Sequence, residues 1–129
     1  MTDFMHIGEV AARTELSLRS LRHWEEVGLL VPSGRSEGGF RLYTEHDVQR
    51  ILLVRRMKPL GFSLDAMKEA LADLETLRDD DAPAADVAGA TERVAQVREE
   101  ALERRAALVR QLEMADEFIE IVARELRGG

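Results

Sequence analysis

Arg19, Arg22 and His23 lie three and four residues apart in the stretch Leu18 to Val27, which reads as a helix. That spacing gathers them, with Glu26, on one face. A guanidinium presents five N–H donors in a planar fork, suited to phosphate oxygens or to the paired acceptors of a guanine edge. The chemistry offered is recognition of an anionic polymer. Taken alone, the face also fits a solvated helix that carries two arginines. Further cations follow it: Arg35 in a Gly-rich tip, Arg41 just beyond, and then Arg56 and Lys58.

Other chemistry finds little support. The three histidines, His6, His23 and His46, have no second ligand at helical spacing, so no metal site is expected. Zero cysteines exclude disulfides and thiolate sites. Asp79-Asp80-Asp81 lacks the Gly-and-Glu frame of a calcium loop and reads as solvated linker. Acid pairs such as Glu99-Glu100 and Asp116-Glu117 read as the charged rim of a helix. No nucleophile motif, phosphate loop or acid–base pair appears, so the expectation is a protein that is not an enzyme and uses no cofactor.

The chain has 129 residues and a net charge of −7, which argues against nucleic acid until it is divided. Residues 13–58 carry nine Lys/Arg against six acids, whereas residues 77–129 carry eight Arg against thirteen acids. Binding depends on the patch that faces the phosphates, so net acidity is no veto. The longest apolar run, Ile51 to Val54, is far short of the roughly 18–20 residues that span a bilayer. Met1 to Gly8 lacks a basic start and an apolar stretch, so neither membrane nor secretion is expected, and the cytoplasm is the simplest location.

The elements that must position these cations follow from periodicity and punctuation. Ile7, Val10 and Ala11 predict a short helix to Arg13, Thr14-Glu15-Leu16 a tight break, and Ser17 the cap of the next helix, which Gly28 stops. Two short helices so joined form a helix-turn-helix. On the second, Leu18 and Leu21 are expected to anchor the helix to the core, with Ser20 and Trp24 towards the back. Leu29 to Pro32 and Phe40 to Tyr43 read as strands around the tip Ser33 to Gly39, a β-hairpin. Thr44, with Asp47 three residues on, caps a third helix that ends at Pro59-Leu60-Gly61. Ser63 caps a fourth, striped by Leu64, Met67, Leu71 and Leu74.

From about Asp86 to Arg127 only Gly89 interrupts the helix formers, giving ~40 residues and ~60 Å. Ala101, Leu108, Leu112, Ala115, Ile119, Val122 and Leu126 recur in steps of four and three, with Arg105 in one slot. That rhythm is a coiled-coil seam. A second copy of the chain is the expected partner, the alternative being a hairpin back along its own domain. The expected class is mainly α: a winged helix-turn-helix DNA-binding domain over 1–77, a linker over 78–86, and a dimerisation helix over 87–127.

The ordered words Ile7-Gly8-Glu9-Val10-Ala11, Leu16-Ser17, Leu21-Arg22-His23-Trp24-Glu25, Gly28-Leu29-Leu30, Pro32, Phe40-Arg41-Leu42-Tyr43, Asp47-Val48 and Leu60-Gly61-Phe62-Ser63-Leu64 resemble the MerR family of bacterial regulators. The resemblance covers roughly residues 5–75. It implies that Ser17, Arg19, Ser20 and Arg22 sit in or beside the major groove and that His23 and Trp24 flank the backbone. Arg41 would hold the first wing on phosphate with help from Arg35, and Arg56 and Lys58 would belong to a second wing. Tyr43 and Phe40 would pack between wing and helix.

The resemblance also implies a homodimer on an inverted-repeat promoter operator, acting by DNA distortion, with RNA polymerase as partner. An architectural, excisionase-like DNA-bending protein, a simple blocking repressor, and a pure interaction module are the competing readings. The family's metal- and redox-sensing branches use cysteines near the end of the dimer helix, and here there are none. The chain closes at Gly128-Gly129, so an appended effector domain is not expected, and a small-molecule effector, if used, would bind the helices. Met67, Met114 and Phe118 are candidates for lining such a site, with core packing the alternative for each. His23 and Trp24 replace the family's aromatic pair, leaving Trp24 as either a phosphate contact or core. Glu15 stands where the family's turn carries Gly, which leaves the geometry of that turn open.

Overall fold

A computed structural model describes residues 3–128. The stripe Ile7, Val10, Ala11 folds as α1 (Ile7–Thr14). The turn after it is left-handed although it lacks Gly: Glu15 sits at φ 58°, ψ 32°. Arg55 of the third helix reaches back to donate to the Thr14 carbonyl, satisfying a helix-end acceptor that would otherwise be orphaned. α2 (Leu18–Glu26) starts at Ser17, whose hydroxyl accepts from the Ser20 N–H at 3.0 Å. It ends in Val27-Gly28, Gly28 at φ +85°.

The hairpin differs from expectation. Leu29 and Leu30 are buried, and their N–H groups bond back to the Trp24 carbonyl at 2.8 and 3.1 Å. Those donors are spent on closing α2, so the ladder begins later, with β1 (Gly34–Arg35) against β2 (Arg41–Leu42), antiparallel, Gly34 opposite Leu42. Beyond β2, Tyr43 exchanges both backbone bonds with Met5, which ties the segment before α1 to the wing.

α3 (Glu45–Met57) carries the expected capping box between Thr44 and Asp47. Asp47 also accepts from the Ser33 hydroxyl at 2.6 Å, fixing the base of the wing. A single 3-10 turn, Lys58–Leu60, leads through Gly61 (φ +83°) to α4 (Leu64–Arg78), capped by Ser63. Val10, Leu21, Trp24, Tyr43, Val48, Ile51, Val54, Met67 and Leu71 make one core beneath these helices. Met67 is thus core, the alternative left open for it.

α5 (Ala84–Gly128) is 45 residues long, about 68 Å at 1.5 Å per residue. It starts within the expected linker, which shortens to residues 79–83. Its first part does fold back along its own domain. Val97 and Ala101 pack on the core, and Asp73 of α4 accepts three hydrogen bonds of 2.9–3.1 Å from Arg93. Ala101, expected in the dimer seam, is therefore an intrachain contact. Beyond it the seam is bare, with Leu112 62 % and Leu126 80 % exposed. Among the described residues no helix is long and apolar enough to cross a membrane.

Candidate nucleic-acid interface

α2 lies across the domain with Leu21 and Trp24 inward, so its opposite face is presented outward. Arg19, Arg22, His23 and Glu26 line one shallow open depression there. Neither arginine takes part in an ion pair among the described residues, and both forks stand in solvent. Ser17 and Ser20 share a 3.0 Å hydroxyl–hydroxyl contact at the helix start, so their first task is the cap.

The assignments on and beside α2 divide. Trp24 is 4 % exposed and packs in the core, one of the two alternatives left open for it: an indole held on this side of α2 packs the helix down. Leu18, expected as an anchor, is 41 % exposed, and Leu21 alone of the two is buried. Lys58 reaches over the Trp24 ring, its ammonium 5.6 Å from the centroid, which draws the 3-10 turn against α2. Arg56 points to solvent at the end of α3.

The wing brings Arg41 to the same side, where it lines a second depression between α2 and β2 with Arg22, Glu25 and Glu26. Arg41 is not free: its guanidinium pairs with Glu25, which is mostly buried. The Tyr43 hydroxyl also donates to Glu25, at 3.5 Å. Burial first, and the Glu25 charge second, raise the Tyr43 phenol above its ordinary value, so it stays a neutral donor. Arg35 donates to the Gly39 carbonyl at 3.2 Å and stiffens the tip. Phe40, expected to pack between wing and helix, is 68 % exposed and stands edge to face with His6, at 6.1 Å between centroids. Tyr43 does fill that role.

Glu25 was missed as a site residue, since an acid beside a basic face reads as solvated rim. Its position three residues after Arg22 carried no signal of the cation approaching from β2. Arg104, which reaches the turn after α3 from α5, was likewise invisible at a sequence distance of more than forty residues. Of the histidines, His46 contacts Glu75 at 2.7 Å, bridging α3 to α4.

Helix, turn, helix, a two-stranded wing and a second helix pair define a winged helix-turn-helix protein with a long appended helix. The family model for MerR HTH regulatory proteins matches residues 5–74, and the MerR DNA-binding model matches residues 48–115. This chain belongs to the MerR family, a family of DNA-binding transcription regulators and not of enzymes.

Among its relatives, the regulator CueR of Vibrio cholerae is 45 % identical over 67 residues, covering 52 % of this chain and 48 % of its own. The nodulation protein NolA of Bradyrhizobium elkanii is 41 % identical over 73 residues, 57 % of this chain and 33 % of its own. The chain thus spans half or less of these curated relatives. A MerR family regulator from Listeria monocytogenes superposes with a TM-score of 0.69 at 25 % identity, over 90 % of this chain and 83 % of its own.

Proposed function

We propose that this protein is a sequence-specific transcription regulator that binds an inverted-repeat promoter operator as a homodimer and acts by distorting the DNA. The observation that carries the reading is the unpaired, outward pair Arg19 and Arg22, flanked by a wing whose Arg41 lines a depression with Arg22. Arg22 reads base edges. Ser17, Arg19 and Ser20 stand in or beside the groove, His23 flanks the backbone, and Arg35, Arg41, Arg56 and Lys58 contact phosphate. A MerR family regulator lacking its sensor domain, similar to this chain in fold at 24 % identity, has been crystallised bound to promoter DNA.

Two copies join through the apolar stripe of α5 from Leu108 through Leu112, Ala115, Ile119 and Val122 to Leu126, packed antiparallel. The bare seam supports this, because a stripe of that length is not left in water by a stable monomer. Two recognition helices then meet one face of the duplex at a set separation. Wings beyond them reach phosphates that a straight duplex does not offer together, so the centre bends at a cost on the order of 1–6 kcal/mol, offset by the added contacts. RNA polymerase at the same promoter is the partner that reads the distortion, and the cytoplasm is where both are met. A small-molecule effector would bind among the helices, with the exposed Met114 and Phe118 near it.

Selection from random DNA tests the reading. The wild type should return an inverted repeat, and Arg22→Ala should relax one base position and lose about 1–3 kcal/mol on the operator. The same motif from both proteins would remove Arg22 as a base reader. A circular-permutation gel that finds a straight operator would make simple blocking the better mechanism.

A further inference from the structure

One turn of the domain touches both the recognition helix and the long helix. On one side Lys58 lies over Trp24 of α2. On the other, Arg104 of α5 closes on Leu60 to Phe62. Its Nη1 donates to the Leu60 carbonyl at 3.1 Å, and its guanidinium lies over the Phe62 ring, 4.6 Å from the centroid. Between them Gly61, at φ +83°, leaves room for the fork, since a Cβ there would stand 3.2 Å from Arg104 Nη1. A planar fork can donate at its edge and stack on its face at once, which a lysine cannot.

The place of this clasp along α5 gives it leverage. Inward of Arg104, Ala90, Val97 and Ala101 are covered by the domain; outward, every large apolar side chain from Leu108 to Leu126 is exposed. The helix leaves its domain at this point. The arm beyond Arg104 is about 36 Å long, so a swing of roughly 10° there moves its far end about 6 Å. Successive base pairs are about 3.4 Å apart, so such a swing spans nearly two steps of the duplex.

We propose that Arg104 is a positioning residue for operator choice: its clasp on the Leu60–Phe62 turn sets the angle at which α5 leaves the DNA-binding domain. That angle sets the half-site spacing the dimer accepts. The inference rests on the dimeric DNA-binding reading, but its first test does not. The chain has no cysteine, so Glu37→Cys on the wing and Glu117→Cys on the outer arm take spin labels without background.

Diluted in unlabelled protein, the labelled chain should give a narrow intramolecular distance distribution, broadened about twofold by Arg104→Ala and less by Arg104→Lys. Phe62→Leu, which keeps apolar volume and loses the ring face, should broaden it too, and Arg98→Ala should not. On operators with the spacer varied base pair by base pair, the wild type should prefer one spacing by about tenfold, and Arg104→Ala should flatten that preference while affinity for a single half-site holds.

Unchanged label distances, or an unchanged spacing profile, would overturn the proposal. A uniform loss on all spacings with a lowered melting temperature would reduce Arg104 to a packing residue. If the wild type bound no inverted repeat, the DNA-binding reading would fail, while the label distances would still decide whether the clasp sets the angle.

Discussion

The domain from Met5 to Arg78 and the outer arm of α5 are built from similar residues and reach opposite ends. In the domain, apolar side chains of five helices, counting the start of α5, close on Tyr43, Ile51 and Val54, which are almost wholly buried. In the arm, Leu112, Phe118, Ile119 and Leu126 recur along the helix and are left 62–80 % exposed. Periodicity decides that a helix has an apolar stripe, and the neighbour decides whether that stripe is a core or an interface. α5 holds a covered stretch and a bare one in one helix, changing from one to the other near Arg104.

The sharpest way to break this contrast is to charge the arm. Replacing Leu112 and Ile119 together by Asp should convert the dimer wholly to monomer in sedimentation, while the melting of the front domain stays within about 0.5 kcal/mol of wild type. A wild type already monomeric at micromolar concentration would end the interface reading. Within α2 the same contrast appears across one turn. Trp24→Ala should destabilise the domain by about 3–5 kcal/mol in urea unfolding, as loss of a buried aromatic does. Arg22→Ala, on the outward face, should leave stability within about 0.5 kcal/mol. Comparable losses from both would mean that Trp24 does not carry the core as described.

Smaller effects separate the two kinds of arginine. Glu25→Gln releases Arg41 from its ion pair, and DNA affinity should rise by up to about fivefold with a steeper salt dependence, the scale of a partly exposed pair. An unchanged salt slope would mean that Arg41 does not reach phosphate. Glu15→Gly relieves the left-handed residue after α1 and should stabilise by about 0.5–1 kcal/mol in thermal unfolding.

The smallest change concerns acid. Arg13 holds the Glu45 carboxyl below its ordinary value by direct hydrogen bonding, tying α1 to α3. A depressed folded pKa means that this support is present at neutral pH and is lost as pH falls below the ordinary glutamate range. Glu45→Gln should therefore lower stability slightly at pH 7 and make no difference in strong acid. An equal effect at both pH values would point to packing instead.

Much of the site was legible before any coordinates. Arg19, Arg22 and His23 share a face because helical geometry puts positions three and four apart together, and Ser17, Thr44 and Ser63 cap helices because their oxygens sit where free N–H groups need them. The ordered words from Ile7 to Leu64 named the family, and the four-three rhythm beyond Arg104 marked a stripe in want of a partner. These are local properties, set within a few residues of chain.

Tertiary structure decided the rest, because each remaining question concerned residues distant in sequence. It turned Trp24 inward and Phe40 outward, spent the Leu29 and Leu30 amides on α2 so that the wing began at Gly34, and gave Ala101 to the domain instead of the seam. It made Glu15 left-handed without glycine, because the contacts holding α1 against α2 and α3, including Arg55 on the Thr14 carbonyl, fix the turn between them. It also paired Arg41 with Glu25 and set Arg104 on Phe62. No periodicity carries such contacts: a side chain's neighbour across the fold exists only once the backbone has brought the two together.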